Sequence, residues 1–357
     1  MSKIIFSDLA HSYIKNEDLE SWALKPINLE LESGRPFALV GPSGCGKTTI
    51  LNIISGIVTP REGKIFFDDK DVTNLPVSQR NVAQVFQFPT IYKSMTVFEN
   101  LAFPLVCRNW KSDKIKVRVG EIAEQVGLSS KLNRSAHKLG ADEKQIVSLG
   151  RGLVRDDVSA LLMDEPLTVI DPQLKFELRK RIKQIVEGKN ITIIYVTHDQ
   201  YEAMTFADEL LVMSLGRLVQ RGSPEELFER PNTTYVGNFI GSPAVNILKG
   251  TWANGKAKLG NQELQTSSSA DLSAGTPIQI GIRPEYVQLA SSNGENVLTA
   301  EYKGLSDVGN YKILNCEFEG APIKLKVGRE TSVPAIGPVK IEFPASKLLI
   351  YKEGVLV

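Results

Sequence analysis

The sequence predicts an α/β domain with a mainly parallel sheet, followed by a small all-β domain. Three observations carry this. Phe37–Gly56, FALVGPSGCGKTTILNIISG, reads as strand, loop and helix. Gly41, Gln87, Asp164 and His198 each follow an apolar strand, which is where an open α/β sheet collects its ligands. Beyond Gly237 the helical period disappears and short alternating segments take over.

In chain order, residues 3–8 alternate as a strand, and Asn28-Leu29-Glu30-Leu31-Glu32 alternates too, predicting an antiparallel β-unit. Between them lies a polar insert, Lys15–Ser21, flanked by Tyr13 and Trp22. Either aromatic could stack on an adenine. Phe37–Val40 follows the Gly34-Arg35-Pro36 turn as a buried parallel strand would. Gly41-Pro42-Ser43-Gly44-Cys45-Gly46-Lys47-Thr48 then fits G-x-x-x-x-G-K-[ST] without mismatch. Glycines let the backbone wrap a phosphate chain, and the helix N-terminus adds partial positive charge. Lys47 would reach the β- and γ-phosphates, and the Thr48 hydroxyl would ligate Mg²⁺. Thr49 to Ile54 carry apolar residues at helical spacing, and Gly56 is the expected stop.

Lys64–Phe67 with Asp68-Asp69-Lys70 reads as a strand and turn. Val82–Phe86 is an apolar strand ending at Gln87, before Phe88-Pro89-Thr90. Residues 112–187 are mostly helical by period, interrupted by the apolar strand in Ser159–Pro166, which ends in the carboxylates Asp164 and Glu165. Ile191–Val196 is a further strand, ending in Thr197-His198-Asp199. Leu210–Met213 and Arg217–Gln220 pair as a hairpin around Leu215-Gly216. The composition shift near Gly237–Pro243 divides the chain into domains 1–236 and 237–357. In the second, Gly250–Leu259, Ile278–Leu289, Val297–Tyr302, Tyr311–Phe318, Ile323–Val327 and Val339–Ile350 read as strands of a small barrel or sandwich.

Composition narrows the class. The 357 residues exceed what one core usually holds. A formal net charge of +1 gives no basic field for nucleic acid. Cys45, Cys107 and Cys316 lack metal or disulfide spacing, which points to a reducing compartment. MSKIIFSDLAHSY has no signal-type apolar core, and no apolar run is long enough to span a bilayer. Any membrane contact is therefore expected through a partner.

The strand ends supply a hydrolytic set. Asp164 suits a water-mediated hold on Mg²⁺, and Glu165 can orient and polarise an attacking water. His198 ends a strand where a γ-phosphate would lie. Gln87 could sense both Mg²⁺ and the water.

With these residues in place the chain closely resembles the ATP-binding subunit of ABC transporters, most of all the subfamily serving sugar, polyol and glycerol-phosphate importers. GPSGCGKTT, Gly41 to Thr49, matches the family's Walker A. VFQFP matches its Q-loop, SALLMDEP its Walker B with catalytic glutamate, and VTHD its switch histidine. Tyr13 sits where the family's adenine-stacking aromatic lies. GSPAVNIL and Gly281-Ile282-Arg283-Pro284-Glu285 resemble the start and an internal motif of the subfamily's C-terminal regulatory domain. The resemblance implies an ABC ATPase domain with a mainly parallel sheet, an antiparallel β-subdomain and a helical subdomain, then an OB-like β-domain. It implies ATP and Mg²⁺ as cofactors, with Thr48, Gln87 and Asp164 around the metal and Glu165 and His198 as catalytic residues.

Two stretches depart from the family. Its signature, Leu-Ser-Gly-Gly-Gln, falls on Leu139-Gly140-Ala141-Asp142-Glu143. The serine hydroxyl is gone and the last two positions are acidic. In the family this segment caps the γ-phosphate held by the opposite subunit. A carboxylate there repels, by about 1 kcal/mol in water and about 4 at an effective dielectric near 20 for a ~4 Å separation. After Walker B the family has Ser-Asn-Leu-Asp, where this chain has Thr168-Val169-Ile170-Asp171. Two losses on one donated surface imply a heterodimer with a second ATPase subunit carrying an intact signature, as in glycerol-uptake systems. Pairing with itself is the alternative. The resemblance further implies two transmembrane permease subunits, an indirect periplasmic or extracellular substrate-binding protein, and a peripheral place on the cytoplasmic face of a bacterial inner membrane. A soluble ABC ATPase without a transporter, a P-loop kinase and a non-hydrolysing regulatory subunit are the competing classes. The kinase leaves Gln87 and His198 unexplained, and the regulatory subunit leaves Lys47, Asp164, Glu165 and His198 without a use.

Overall fold

The computed structural model describes residues 3–14, 18–155, 157–186, 191–253 and 255–357. The start of the polar insert, residues 15–17, and the end of the helical stretch at 187 lie outside the described residues. The chain divides into two compact units, Met1–Pro224 and Glu225–Val357. Residues 225–236, which the sequence reading keeps with the first domain, thus fall in the second unit.

In the first unit, β1 (Ile4–His11) lies between β2 (Leu24–Leu31) and β4 (Glu62–Phe67), with β5 (Lys70–Asp71) at the edge, all antiparallel. The second sheet has six strands in the order β10-β9-β3-β8-β7-β6. These are β3 (Pro36–Val40), β6 (Val82–Val85), β7 (Ala160–Asp164), β8 (Thr192–Val196), β9 (Glu209–Ser214) and β10 (Arg217–Gly222). All its pairings are parallel except β9 with β10. The expected mainly parallel sheet and the expected antiparallel subdomain are both present. β3, β7 and β8 are apolar and almost wholly buried because parallel strands are covered on both faces. The β9–β10 turn has φ 47° at Leu215 and 76° at Gly216, the left-handed pair that a two-residue hairpin requires.

Helix α1 (Lys47–Ser55) follows β3 and stops at Gly56, φ 83°. Its last carbonyls, Ile53 and Ile54, accept from the buried Arg80 guanidinium. A helical subdomain holds α2 (Val97–Val106), α3 (Ser112–Gln125) and α4 (Ala141–Leu153). The sequence reading passed over α2, although Thr96 and Glu99 form a reciprocal capping box at its start. Helices α5 (Pro172–Val186) and α6 (Gln200–Phe206) complete the unit. Its core joins the antiparallel sheet, α1 and the inner strands of the parallel sheet.

The second unit opens with α7 (Pro224–Glu229) and α8 (Thr234–Phe239). Its first sheet contains β11 (Asn246–Ala253), β12 (Lys256–Leu259), β13 (Gln262–Leu264), β14 (Pro277–Ile282), β20 (Leu349–Lys352) and β21 (Val355–Leu356). Its second contains β15 (Gln288–Leu289), β16 (Val297–Asp307), β17 (Tyr311–Phe318), β18 (Ala321–Gly328) and β19 (Gly337–Glu342). Both sheets are antiparallel, and their inner side chains share one core, including Trp252, Ile280 and Ile350 from one sheet and Tyr302, Leu314 and Ile341 from the other. Val339–Ile350 reads as one segment in sequence but splits into β19 and β20, which belong to different sheets.

Arg283 explains why the two helices join this unit. Its side chain, 2% exposed, donates to the carbonyls of Leu227, Phe228, Gly237 and Ile240 and lies 4.3 Å from the Phe228 ring centroid. Arg283→Leu leaves those carbonyls without their donor. It is expected to destabilise this unit by at least about 2 kcal/mol, since each buried orphan acceptor costs about 1–3. Calorimetry of the full chain should resolve a lowered transition, with Arg283→Lys intermediate because an ammonium cannot span all four acceptors.

Candidate functional site

The phosphate-loop sequence sits at the carboxyl end of β3. Gly46, φ 103°, precedes α1, and a Cβ there would lie 2.6 Å from both the Ala23 carbonyl oxygen and Leu24 Cδ2. Only glycine fits that backbone. No side chain caps α1, so the loop's N–H groups and the helix dipole are left to an anion. Lys47, buried, donates through Nζ to the Gly41 and Pro42 carbonyls at 2.8 and 2.9 Å, which holds the ammonium over the loop.

Neighbouring strands end at the same level. Thr48 stands beside the Asp164 carboxylate. Burial pushes that carboxyl up from its usual range, with Thr48 acting against the shift. Glu165 Oε2 gathers three more groups. Gln87 Nε2 donates to it at 3.2 Å, Thr168 Oγ1 donates at 3.3 Å, and His198 Nδ1 lies 3.1 Å away. The residues chosen from four separate strand ends therefore meet, with Thr168 added. The Glu165 backbone has φ 45°, a strained conformation for a non-glycine residue, held by its N–H donating to the Val196 carbonyl at 2.9 Å.

The two aromatics separate. Tyr13 is 62% exposed, and its hydroxyl shares a 3.2 Å hydrogen bond with Thr49 on α1, so its ring stands beside the loop. Trp22 is 9% exposed, with the Arg61 guanidinium 5.1 Å from its ring centroid.

The segment Leu139–Glu143 forms the start of α4. Leu139 is buried and Gly140 is the N-cap. Glu143 turns back: its Oε2 accepts the Gly140 N–H at 2.9 Å, and its Oε1 pairs with Lys131 at 2.5 Å and Arg134 at 3.9 Å. The Lys131 ammonium, then the Gly140 N–H, hold its carboxyl below the usual carboxylate range. The acidic pair expected from sequence is thus unequal, because Glu143 is spent on its own helix. Asp142 differs. A Cβ added at Gly140 would lie 2.8 Å from Asp142 Oδ1, so a serine at 140 would have to push that carboxylate aside. Val169 is partly exposed, while Asp171 Oδ1 accepts from the Gln173 N–H.

Sequence reasoning missed Gln145. It is fully buried on α4, and its Nε2 donates to the carbonyls of Phe86 and Pro166 at 3.0 and 2.9 Å. Those residues adjoin Gln87 and Glu165. Its position two residues past the aligned signature was the available signal.

A family model described as "ABC transporter" matches residues 24–168. A trehalose/maltose import ATP-binding protein, MalK, of Thermococcus litoralis is 36% identical over 351 residues, covering 93% of this chain and 94% of that protein. The chain belongs to the ABC transporter ATP-binding family. An sn-glycerol-3-phosphate import ATP-binding protein, UgpC 3, of Agrobacterium fabrum is 37% identical over 317 residues, covering 89% of this ABC ATPase and 86% of the relative. Among solved structures, cbiO1 of Clostridium perfringens, part of the ABC transporter complex cbiONQ, superposes with a TM-score of 0.57 at 28% identity, covering 64% of this chain and 90% of that one.

In this ABC ATPase, Gln145→Leu removes both amide donations while keeping volume. It is expected to cost about 1–3 kcal/mol of unfolding free energy, the penalty for orphaning buried carbonyls. Denaturant unfolding of the full chain measures it, and an unchanged midpoint would mean that water takes over both acceptors.

Proposed function

We propose that this chain is the ATP-hydrolysing subunit that powers solute import through a membrane permease, for a glycerol, polyol, sugar or glycerol-phosphate solute. The convergence of Gln87, Thr168 and His198 on Glu165, beside the phosphate loop, is the observation that carries it. The trehalose/maltose and sn-glycerol-3-phosphate import functions of the relatives support the sugar and glycerol-phosphate part of that class, and the sequence resemblance adds glycerol and polyol. No described helix is long and apolar enough to cross a membrane. In this reading the chain attaches to two permease subunits at the cytoplasmic face of a bacterial membrane. A substrate-binding protein on the other side is an indirect partner.

The loop Gly41 to Thr49, with Pro42, Ser43, Gly44 and Cys45, cradles the phosphates, and Tyr13 stacks on adenine. The oxygen set of Thr48, Asp164 and Gln87 fits Mg²⁺, which takes few protein ligands and keeps phosphate and water oxygens. The raised Asp164 carboxyl also fits, because a buried carboxylate without a cation is costly. Bound there, Mg²⁺ neutralises charge on the phosphoryl oxygens. Lys47 leaves its carbonyls to pair with the β- and γ-phosphates. Glu165 orients the attacking water, with Gln87 and Thr168 holding its carboxylate and His198 completing the γ-phosphate side. Glu165→Gln is expected to retain Mg·ATP binding and lower turnover by about 10²–10⁴, the contribution of a positioned acid/base group. Steady-state phosphate release beside equilibrium nucleotide binding makes the comparison.

The partner reading is a heterodimer. Gly140 lacks the signature hydroxyl, Asp142 adds a charge, and Val169 lacks an amide, all on the surface that family members donate to the opposite nucleotide. A second ATPase with an intact signature would complete the site on this chain, and the opposite site would turn over poorly. A homodimer is the second reading, favoured by the neutralisation of Glu143 through Lys131 and Gly140. ATPase activity is expected to be weak for this chain alone and to rise strongly when a second ATPase and the permeases are added. Purified complexes with counted subunits test this, and a fully active complex holding two copies of this chain and no other ATPase would remove the heterodimer.

A further inference from the structure

We propose that His11 is a positioning residue for nucleotide binding: as a neutral imidazole it holds the Tyr13 ring beside the phosphate loop, and protonation releases that ring. The inference rests on the reading of Tyr13 as the adenine platform.

His11 ends β1 and pairs across the sheet with Leu24 of β2. It is 8% exposed, and neither Nδ1 nor Nε2 has a hydrogen-bond partner among the described residues. A buried polar ring with two unmade bonds is an uncommon arrangement that costs free energy. What the imidazole does touch is Tyr13: the ring centroids are 4.6 Å apart at 85°. Among the described residues Tyr13 is also tied at its far end, through its hydroxyl to Thr49. The imidazole edge contact and the hydroxyl bond together fix a ring that is mostly in solvent.

A charge is disfavoured at His11. No carboxylate pairs with it among the described residues. The charged groups on β1 and the elements around it are Asp8 of β1, Lys25 and Glu30 of β2, Glu62 and Lys64 of β4, Lys47 of α1, and Arg61, which precedes β4. Of these, Arg61 acts on the imidazole, and it repels a proton. Arg61 is itself held there by its bond to the Ile14 carbonyl at 2.7 Å. Burial, then Arg61, lower the His11 pKa from its ordinary 6.5. The sign follows: a group harder to protonate in place than when free supports the buried arrangement above its free pKa, and that support is lost as pH falls below it. A protonated ring must reach water to find an acceptor, and in leaving it withdraws the contact beneath Tyr13.

The test is the dissociation constant of a fluorescent Mg·ATP analogue, measured on the full chain between about pH 7.5 and 5.5 for wild type, His11→Phe, His11→Gln and Tyr13→Ala. His11→Phe keeps an edge contact to Tyr13 and stays neutral throughout. Protonation of the nucleotide and of groups elsewhere in the chain is common to wild type and this variant. The expected result is similar affinity at the high end and at least about fivefold more weakening in wild type on acidification, within the tenfold-per-unit bound for one proton. His11→Gln should flatten the profile in the same way, which covers the case of a poorly folding Phe variant. Parallel profiles for wild type and both variants, with Tyr13→Ala binding weakly, would overturn the role of His11 alone. Unchanged binding in Tyr13→Ala would overturn the platform reading and this inference with it.

Discussion

The parallel register of β3, β8 and β7 is the constraint on which the rest of the ATPase unit depends. Leu39 pairs with Val196, and Val196 pairs with Asp164. The Gly41–Thr48 loop, the two carboxylates and His198 therefore leave the sheet at one level. Two backbone bonds continue that alignment past the strands: the Thr197 N–H donates to the Leu39 carbonyl and the Glu165 N–H to the Val196 carbonyl. A one-residue slip in any of these pairings would turn its side chains to the other face. The apolar runs that make these strands are thus also what brings Lys47, Glu165 and His198 to one place.

Around that level the site is a set of polar groups already bonded to one another. Lys47 is held by loop carbonyls, Asp164 has Thr48 beside it, and Glu165 is held by Gln87, Thr168 and its proximity to His198. Buried polar groups are costly without partners, so the free site uses its own side chains to satisfy them. On the function proposed above, nucleotide binding is then an exchange of partners, with little new desolvation of Lys47 or Asp164.

What was legible in the sequence was local. Strand, loop and helix at Phe37–Gly56, and the polar residues ending each apolar run, needed only neighbours in the chain to be recognised. What escaped was long-range. Gln145 reaches Phe86 and Pro166, and Arg283 reaches back to α7 and α8, through carbonyls that carry no side-chain signature. The domain boundary moved for that reason: composition shifts near Gly237, but Arg283 binds the preceding helices to the β-unit. Glu143 is a different lesson. Reading it as a charge offered outward ignored a local alternative written in the same residues, since a glutamate three positions after an N-cap turns back to the backbone. Val339–Ile350 shows the limit of alternation, which marks strands but says nothing of which sheet receives them.

The start of α4 has a consequence for how this chain tolerates sequence drift. Its first turn is secured from within, by Glu143 on the Gly140 N–H and by Lys131 on Glu143, and the buried Leu139 anchors the approach. None of these supports requires the side chains at 141 or 142. Folding therefore imposes little purifying selection on those outward positions. Substitutions at this tip therefore change what the turn presents to a partner while the turn keeps its own supports.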